Sequence, residues 1–147
     1  MGKRRHLSRK LALQVLYARE YLREPPDDIA SRLFQAECLS EKNWTPFCRQ
    51  LMAHTVENAR DLDSAITAVL AHWRIERLPK VDRLILQLAL CEMRHFPDVP
   101  LRVTLNEYIE LAKEFGTEDS SAFVNGILDR LGQDFRHKDF VQAKEQE

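Results

Sequence analysis

Basic side chains are concentrated at the start of this 147-residue chain. The first 23 residues contain seven lysines and arginines and a single acid, Glu20, a net charge of +6. The remaining 124 residues hold 15 basic and 22 acidic side chains, a net charge of −7. Because each cation that neutralises a phosphate releases a condensed counterion, a short basic segment can bind a polyanion without reading its sequence. The asymmetry indicates a nucleic-acid-binding arm on an acidic body; the alternative is a tail of incidental charge.

The spacing of the cations points to single-stranded RNA. If the first helix extends back to Lys3, its rotation of about 100° per residue gathers one row of side chains away from the apolar stripe. That row consists of Lys3, His6, Lys10, Leu13 and Tyr17, while Arg5 and Arg9 share a second ridge. Proteins hold single-stranded RNA with cations on the phosphates and an aromatic ring on a base. From spacing alone, Tyr17 could equally be a half-buried core tyrosine with a hydrogen-bonded hydroxyl.

No convincing catalytic or metal site is present in the sequence. It contains no glycine-rich phosphate loop, no Gly-x-Ser-x-Gly and no His-Glu-x-x-His. Most acids fall at predicted helix starts, where the helix macrodipole accounts for them. The five histidines form no i,i+4 pair, and Cys38, Cys48 and Cys91 lie in apolar helical contexts without a Cys-x-x-Cys. We therefore expect buried thiols, no metal, no cofactor and no enzyme activity, unless the fold brings distant carboxylates together.

Composition and hydropathy describe a globular protein of the cytoplasm. Apolar residues make up 44% of the chain and charged residues 31%, an ordinary ratio for a folded domain. No apolar run approaches the roughly 20 residues that a membrane span requires. Ser8, Lys10 and Gln14 interrupt the segment that would have to be the apolar region of a signal peptide.

The apolar residues recur with helical period almost everywhere, and no alternating run supports a strand. We predict an all-α fold, a single compact domain of about seven helices over residues 1–131, with a polar, frayed tail at 132–147. The first helix should lie near the centre of the core, since two apolar stripes flank it. These stripes comprise Leu7, Leu11, Val15, Ala18 and Leu22 on one side and Ala12 and Leu16 beside them.

Local signals predict where the helices begin and end. Pro25 and Pro26 should end the first helix. Thr45-Pro46 is an N-cap signal for a helical period that continues to Trp73, with a break expected at 61–64. Further predicted features are a helix after Leu78-Pro79, a turn at 96–100, a capping box at Thr104-x-x-Glu107, a C-terminal cap at Gly116 and a close backbone approach at Gly126.

Four ordered blocks of the sequence resemble the NusB family of bacterial transcription antitermination factors. They are 11–17 (LALQVLY) after an arginine-rich start, 78–86 (LPKVDRLIL) followed by Asp98-Val99-Pro100, 106–116 (NEYIELAKEFG) and 119–129 (DSSAFVNGILD). The order of the blocks over residues 4 to about 131 makes the resemblance specific. Residues 27–50 match poorly, and Gln87 and Cys91 stand where the family often has a base and a tyrosine.

The resemblance implies a non-enzymatic helical protein that binds boxA-type RNA of nascent ribosomal transcripts together with NusE, a small-subunit ribosomal protein. It implies that this pair joins RNA polymerase and other Nus factors in an antitermination complex. With the two lysines of the helical row added, the predicted RNA-binding residues are Lys3, Arg4, Arg5, His6, Arg9, Lys10, Tyr17, Asp119 and Phe123. Glu76 and Asp82 are implied to face NusE or to lie beside the RNA. For Phe123, core contact is favoured over base stacking.

Two other functions remain open at this level. One is a purely protein-binding helical adaptor whose basic arm is incidental. The other is a stand-alone relative of the NusB-like domain of ribosomal RNA cytosine methyltransferases. About sixteen residues follow the predicted domain, which are too few for a cofactor-binding α/β unit.

Overall fold

A computed structural model describes the backbone of residues 2–36 and 40–145 and the side chains of 4–36 and 40–135. Within these residues there are seven α-helices, two short 3-10 helices and no strand, which confirms the all-α prediction. The helices are α1 (Gly2–Leu22), α2 (Pro26–Gln35), α3 (Pro46–Glu57), α4 (Ala59–Val69), α5 (Lys80–His95), α6 (Leu101–Phe115) and α7 (Ser120–Glu145). The 3-10 helices are Glu41–Asn43 and Ile75–Arg77.

The contacts within the chain divide it into two compact units, residues 1–59 and residues 60–147. The sequence had predicted one domain over 1–131. The first unit is built on α1, α2 and α3, and the second on the remaining four helices. In the second unit α7 continues as helical backbone to Glu145, through the segment expected to be frayed.

Helix α1 is the centre of the first unit, as predicted. It packs against both α2 and α3, and residues 11, 12, 13, 15 and 16 are all buried. Leu13 was expected on the polar side; it is buried because neighbours on two sides cover more of the helix than a single apolar stripe would. Leu22, the last residue of α1, is exposed instead.

Helix starts follow the local signals in some places and not in others. Thr45 caps α3 as predicted, and its Oγ1 accepts from the Cys48 N–H at 3.2 Å. The break after α3 falls at Asn58 rather than at 61–64; the Asn58 side chain donates to the His54 carbonyl at 2.8 Å. Because α4 ends at Val69, Trp73 lies beyond the helix with 62% of its surface exposed, contrary to the predicted stripe.

Helix α5 is the buried element of the second unit. Every residue from Leu84 to Met93 is buried, and α6 and α7 pack against it. Helix α6 begins at Leu101 after Pro100, so Thr104 lies inside the helix and the capping-box prediction is wrong. The Thr104 hydroxyl donates instead to Glu92 on α5 at 2.7 Å.

The two glycines singled out from the sequence differ in what they do. Gly116 ends α6 as predicted, with its N–H donating to the Ala112 carbonyl at 2.9 Å. A Cβ at Gly116 would meet the Ser120 side chain at 2.5 Å, so only glycine allows the start of α7 to come this close. Gly126 has nothing within 4 Å of an added Cβ, and the predicted close approach there is wrong.

Candidate nucleic-acid interface

One side of α1 is partly or fully accessible along most of the helix. Five side chains fall within an arc of about 80° by helical rotation, and we call them the α1 strip: His6, Lys10, Gln14, Tyr17 and Tyr21. The first three are half-buried and the two tyrosines are exposed. Three of the strip residues, His6, Lys10 and Tyr17, belong to the predicted row, whereas Leu13 of that row is buried. From position 6 to position 21 it extends over about 22 Å at 1.5 Å per residue.

The tyrosine rings of the strip lie against each other. The ring centroids of Tyr17 and Tyr21 are 5.5 Å apart at an interplanar angle of 64°, and the two hydroxyl oxygens are 3.3 Å apart. Tyr17 is 39% exposed and Tyr21 64% exposed. Tyr17 therefore has an accessible part at the surface while most of its area is covered, and its role in binding RNA stays a prediction. Tyr21 was missed in the sequence although its spacing of four residues from Tyr17 pointed to the same face.

Arg4 and Arg5 do not belong to the strip. By helical rotation they and Ser8 lie about 120° to 160° from its centre, where they line a cavity of about 610 Å³. Lys42, from the 3-10 helix Glu41–Asn43, adds a third cation. Leu7, Pro46 and Phe47 supply apolar walls. This cationic pocket is large enough for a small ligand, and Lys42 is a candidate that no sequence spacing could have linked to Arg4.

Buried Ser8 fixes the walls of the cationic pocket. Its Oγ donates to the Arg4 carbonyl at 2.9 Å and lies 2.9 Å from Thr45 Oγ1. The Asn43 carbonyl is 3.3 Å away. Since Thr45 also caps α3, the same hydroxyl pair joins the start of α3 to α1. The position of the pocket is thus set by hydrogen bonds within the first unit.

Arg9 is buried rather than displayed. Only 1% of its surface is exposed, and its guanidinium carbon lies 5.3 Å from the centroid of the Phe47 ring. Arg5 approaches the same ring at 4.8 Å. A guanidinium over an aromatic face is stabilised by the ring quadrupole. The prediction that Arg9 contacts RNA directly conflicts with this burial, because a phosphate cannot reach it without rearrangement.

Asp119 and Phe123 lie within one turn of each other in the second unit. Asp119 is exposed in the turn before α7, and its carbonyl accepts from the Phe123 N–H at 3.2 Å. Phe123 is half-buried, so its ring combines core contact with an accessible part. Their RNA-binding roles stay predictions.

The two acids predicted to face a partner differ in accessibility. Glu76 is exposed in the 3-10 helix Ile75–Arg77. Asp82 is only 4% exposed near the start of α5. Burial raises the pKa of the Asp82 carboxyl, and a hydrogen bond with Ser120 partly opposes that rise. Glu76 is therefore the more accessible of the two acids, and both roles stay predictions.

The remaining titratable groups of the described chain do not assemble into a site. Among its described histidines, cysteines and acids, no group of three could hold a metal ion. Cys48 and Cys91 are buried and form no disulfide, as predicted, whereas Cys38 lies outside the described residues. Burial raises the pKa of Cys48 to about 12, so it is a neutral thiol at neutral pH. None of the described helices is both long and apolar enough to cross a bilayer.

The architecture is that of an all-helical protein whose basic first helix is partly displayed at the surface. A family model described as the NusB family matches residues 6–133. The chain belongs to the NusB family, which confirms the resemblance found in the four sequence blocks.

Curated relatives and solved structures agree with this assignment. The transcription antitermination protein NusB of Geobacter sulfurreducens is 40% identical over 131 residues, covering 89% of this chain and 94% of the relative. The protein of the same name from Geobacillus kaustophilus is 39% identical over 128 residues, covering 87% and 95%. The structure of T. maritima NusB has a TM-score of 0.78 at 35% identity, covering 88% of this chain and 90% of that one. NusB crystallised with NusE and dsRNA shares the fold, with a TM-score of 0.78 at 24% identity over 90% of this chain and 98% of that one.

Proposed function

We propose that this protein is a non-enzymatic transcription antitermination factor of the cytoplasm that binds boxA-type single-stranded RNA of nascent ribosomal transcripts. The observation that carries the proposal is the combination on α1 of exposed aromatic rings and clustered cations, in a chain of the NusB family. Relatives about 40% identical are named transcription antitermination proteins. Assembly on RNA polymerase with other Nus factors is part of the same proposal.

Phosphates and bases would be held by different parts of α1. Arg4, Arg5 and Lys42 line the cationic pocket and would neutralise phosphates, as would Lys10 on the α1 strip. The exposed ring of Tyr17 would stack on a base. Such binding is strong at low salt and weakens steeply as salt rises, because it depends on counterion release.

The first prediction concerns the cationic pocket. Arg4→Gln combined with Lys42→Gln should weaken binding to a single-stranded boxA-type RNA and reduce the slope of log K against log salt by about 1.4, or about 0.7 per lost phosphate contact. Fluorescence anisotropy over a salt series measures both effects. The melting temperature should change little, because both side chains are exposed and exposed charges contribute little to stability.

A matched control separates this site from a change in net charge. Arg94→Gln combined with Arg102→Gln removes two exposed cations of the second unit and alters the net charge equally. The control should keep the wild-type slope. An equal loss in both double variants would show that the cationic pocket has no special role. Failure of the wild-type protein to bind the RNA, with or without NusE, would overturn the proposed function and favour a protein-binding adaptor.

NusE is the proposed protein partner. The chain after residue 23 is acidic, and a basic ribosomal protein is attracted to such a surface. Of the acids suggested by the family resemblance, Glu76 is exposed. A structural neighbour contains NusB, NusE and dsRNA together, which supports a joint complex.

The second prediction tests this partner surface. Glu76→Lys should lower the affinity for NusE several-fold at low salt, because it reverses a charge that attracts a basic partner. Isothermal titration calorimetry with purified NusE measures the change, and circular dichroism checks the fold. Glu57→Lys, an equal reversal of an exposed acid on α3, is the control. Undiminished affinity in Glu76→Lys would exclude Glu76 from the interface.

A further inference from the structure

The side chain of Tyr21 has no role in the function proposed so far. It is 64% exposed and follows Tyr17 by one helical turn on the α1 strip. A single exposed aromatic side chain is ordinary in proteins. Here, however, two exposed rings contact each other at 5.5 Å between centroids, on a strip that also carries Lys10. They form a small aromatic surface that continues a basic one.

The geometry points to a nucleobase-binding platform, and we propose that Tyr21 and Tyr17 together bind unstacked bases of the single-stranded RNA. This inference rests on the proposed function and deepens it. The 5.5 Å between the ring centroids is well above the spacing of about 3.4 Å between stacked bases. With the rings inclined at 64°, they cannot support two steps of one continuous stack. They fit bases that are splayed apart, the form in which proteins read single-stranded RNA.

The charge along α1 distinguishes a base from a phosphate at this end of the helix. Tyr21 is the second-last residue of α1, where the macrodipole is negative and disfavours an anion. Glu20 is exposed and lies about 60° from Tyr17 by helical rotation, and its negative charge acts in the same direction. A phosphate is therefore favoured near Lys10, and a neutral base near the two rings. Tyr21 follows Lys10 by eleven positions, so this part of the strip extends about 16 Å, which leaves room for several nucleotides.

The RNA is the favoured occupant because the α1 strip carries no acid at any of its five positions. Its order of cation, amide and two rings matches a phosphate contact at one end of the strip and base contacts at the other. A protein partner could also bind the two rings, but a basic one such as NusE would not be attracted to Lys10. NusE binding to this surface is the competing outcome, and the experiment measures it as well.

The test uses substitutions of Tyr21 in the full-length protein and a single-stranded boxA-type RNA. Tyr21→Ala should weaken RNA binding by a factor of about 5 to 160, which corresponds to about 1–3 kcal/mol, the range found for loss of one base-stacking ring. Tyr21→Leu should behave like Tyr21→Ala because it lacks a π face, whereas Tyr21→Phe should bind within about two-fold of wild type. Trp73→Ala is the matched control, since Trp73 is 62% exposed in the second unit, and it should bind normally. Because the Tyr21 side chain is exposed, all variants should melt close to the wild-type temperature.

A series of RNAs, each with a single abasic nucleotide at a different position, identifies the base that Tyr21 contacts. Wild-type protein should lose affinity at the nucleotide bound by Tyr21, and Tyr21→Ala should lose nothing further at that position. If Tyr17→Ala weakens RNA binding but Tyr21→Ala does not, the platform is wrong while the proposed function stands. A Tyr21→Ala variant that keeps its RNA affinity but loses affinity for NusE would also overturn the platform. If wild-type protein does not bind the RNA at all, the proposed function itself has failed.

Discussion

Glu92→Ala should lower the free energy of unfolding by about 2–6 kcal/mol, because it removes the shared acceptor of two buried hydroxyl groups. Glu92 is completely buried in α5. Its two carboxylate oxygens accept from Thr104 Oγ1 at 2.7 Å and from the Tyr108 hydroxyl at 3.0 Å. Truncation would leave two buried hydroxyl donors without this acceptor, at a cost of about 1–3 kcal/mol for each unsatisfied group. A loss of this size is a large part of a typical domain stability of about 5–15 kcal/mol.

Urea denaturation followed by circular dichroism measures this loss. Glu110→Ala is the matched control on α6, because Glu110 is exposed and pairs only with Lys113 among the contacts described, at 3.2 Å. Such a surface pair contributes about 0–1 kcal/mol. A loss below about 1 kcal/mol in Glu92→Ala would mean that the two hydroxyls readily find other acceptors. The Glu92 network would then not stabilise the packing of α6 on α5.

The helices could be predicted from the sequence because their signals are local. Apolar period identified all seven, and Thr45-Pro46 marked the start of α3 correctly. Thr104-x-x-Glu107 has the right spacing for a capping box, yet α6 starts three residues earlier at Leu101. The hydroxyl of Thr104 is instead used by a glutamate twelve residues away on another helix. Sequence spacing cannot reveal a partner of that kind.

The sequence also did not predict which apolar side chains are buried. Periodicity assigned Leu13 to the exposed side of α1, but neighbours on two sides of α1 cover it. Trp73 continued the helical period in the sequence, but α4 ends four residues before it. In both places the period of the apolar residues is real, and the tertiary packing decides which of them are buried.

For the candidate interface, the features confined to one helix were the predictable ones. Lys10 and Tyr17 share the α1 strip as the helical rotation required, and Tyr21 follows from the same rule. The cationic pocket depends on Lys42 meeting Arg4 across 38 residues of sequence. Likewise, the sequence does not separate Arg9 from the other cations of the arm. Its burial against Phe47 is seen only in the structure.

Arg9→Gln should lower the free energy of unfolding by about 2–4 kcal/mol, from the loss of a desolvated cation–π contact and of the packed alkyl stem. It should leave the salt dependence of RNA binding unchanged, because Arg9 is 1% exposed and neutralises no phosphate. Arg9→Lys should recover only part of the stability, since an ammonium lacks the planar face that stacks on an aromatic ring. Urea denaturation and RNA titrations over a salt series measure the two effects, the latter at a temperature where the variants are folded.

Arg4→Gln is the matched comparison, because Arg4 lies five residues away on the same helix and is exposed. It should show the opposite pattern: an unchanged free energy of unfolding and a salt slope reduced by about 0.7. A stable Arg9→Gln protein with a reduced slope would mean that Arg9 leaves Phe47 to contact phosphate. If Arg9→Gln changes only the stability and Arg4→Gln only the salt slope, the basic arm contains two kinds of cation. Arg9 stabilises the fold beneath the interface, and Arg4 contributes to the charge that RNA contacts.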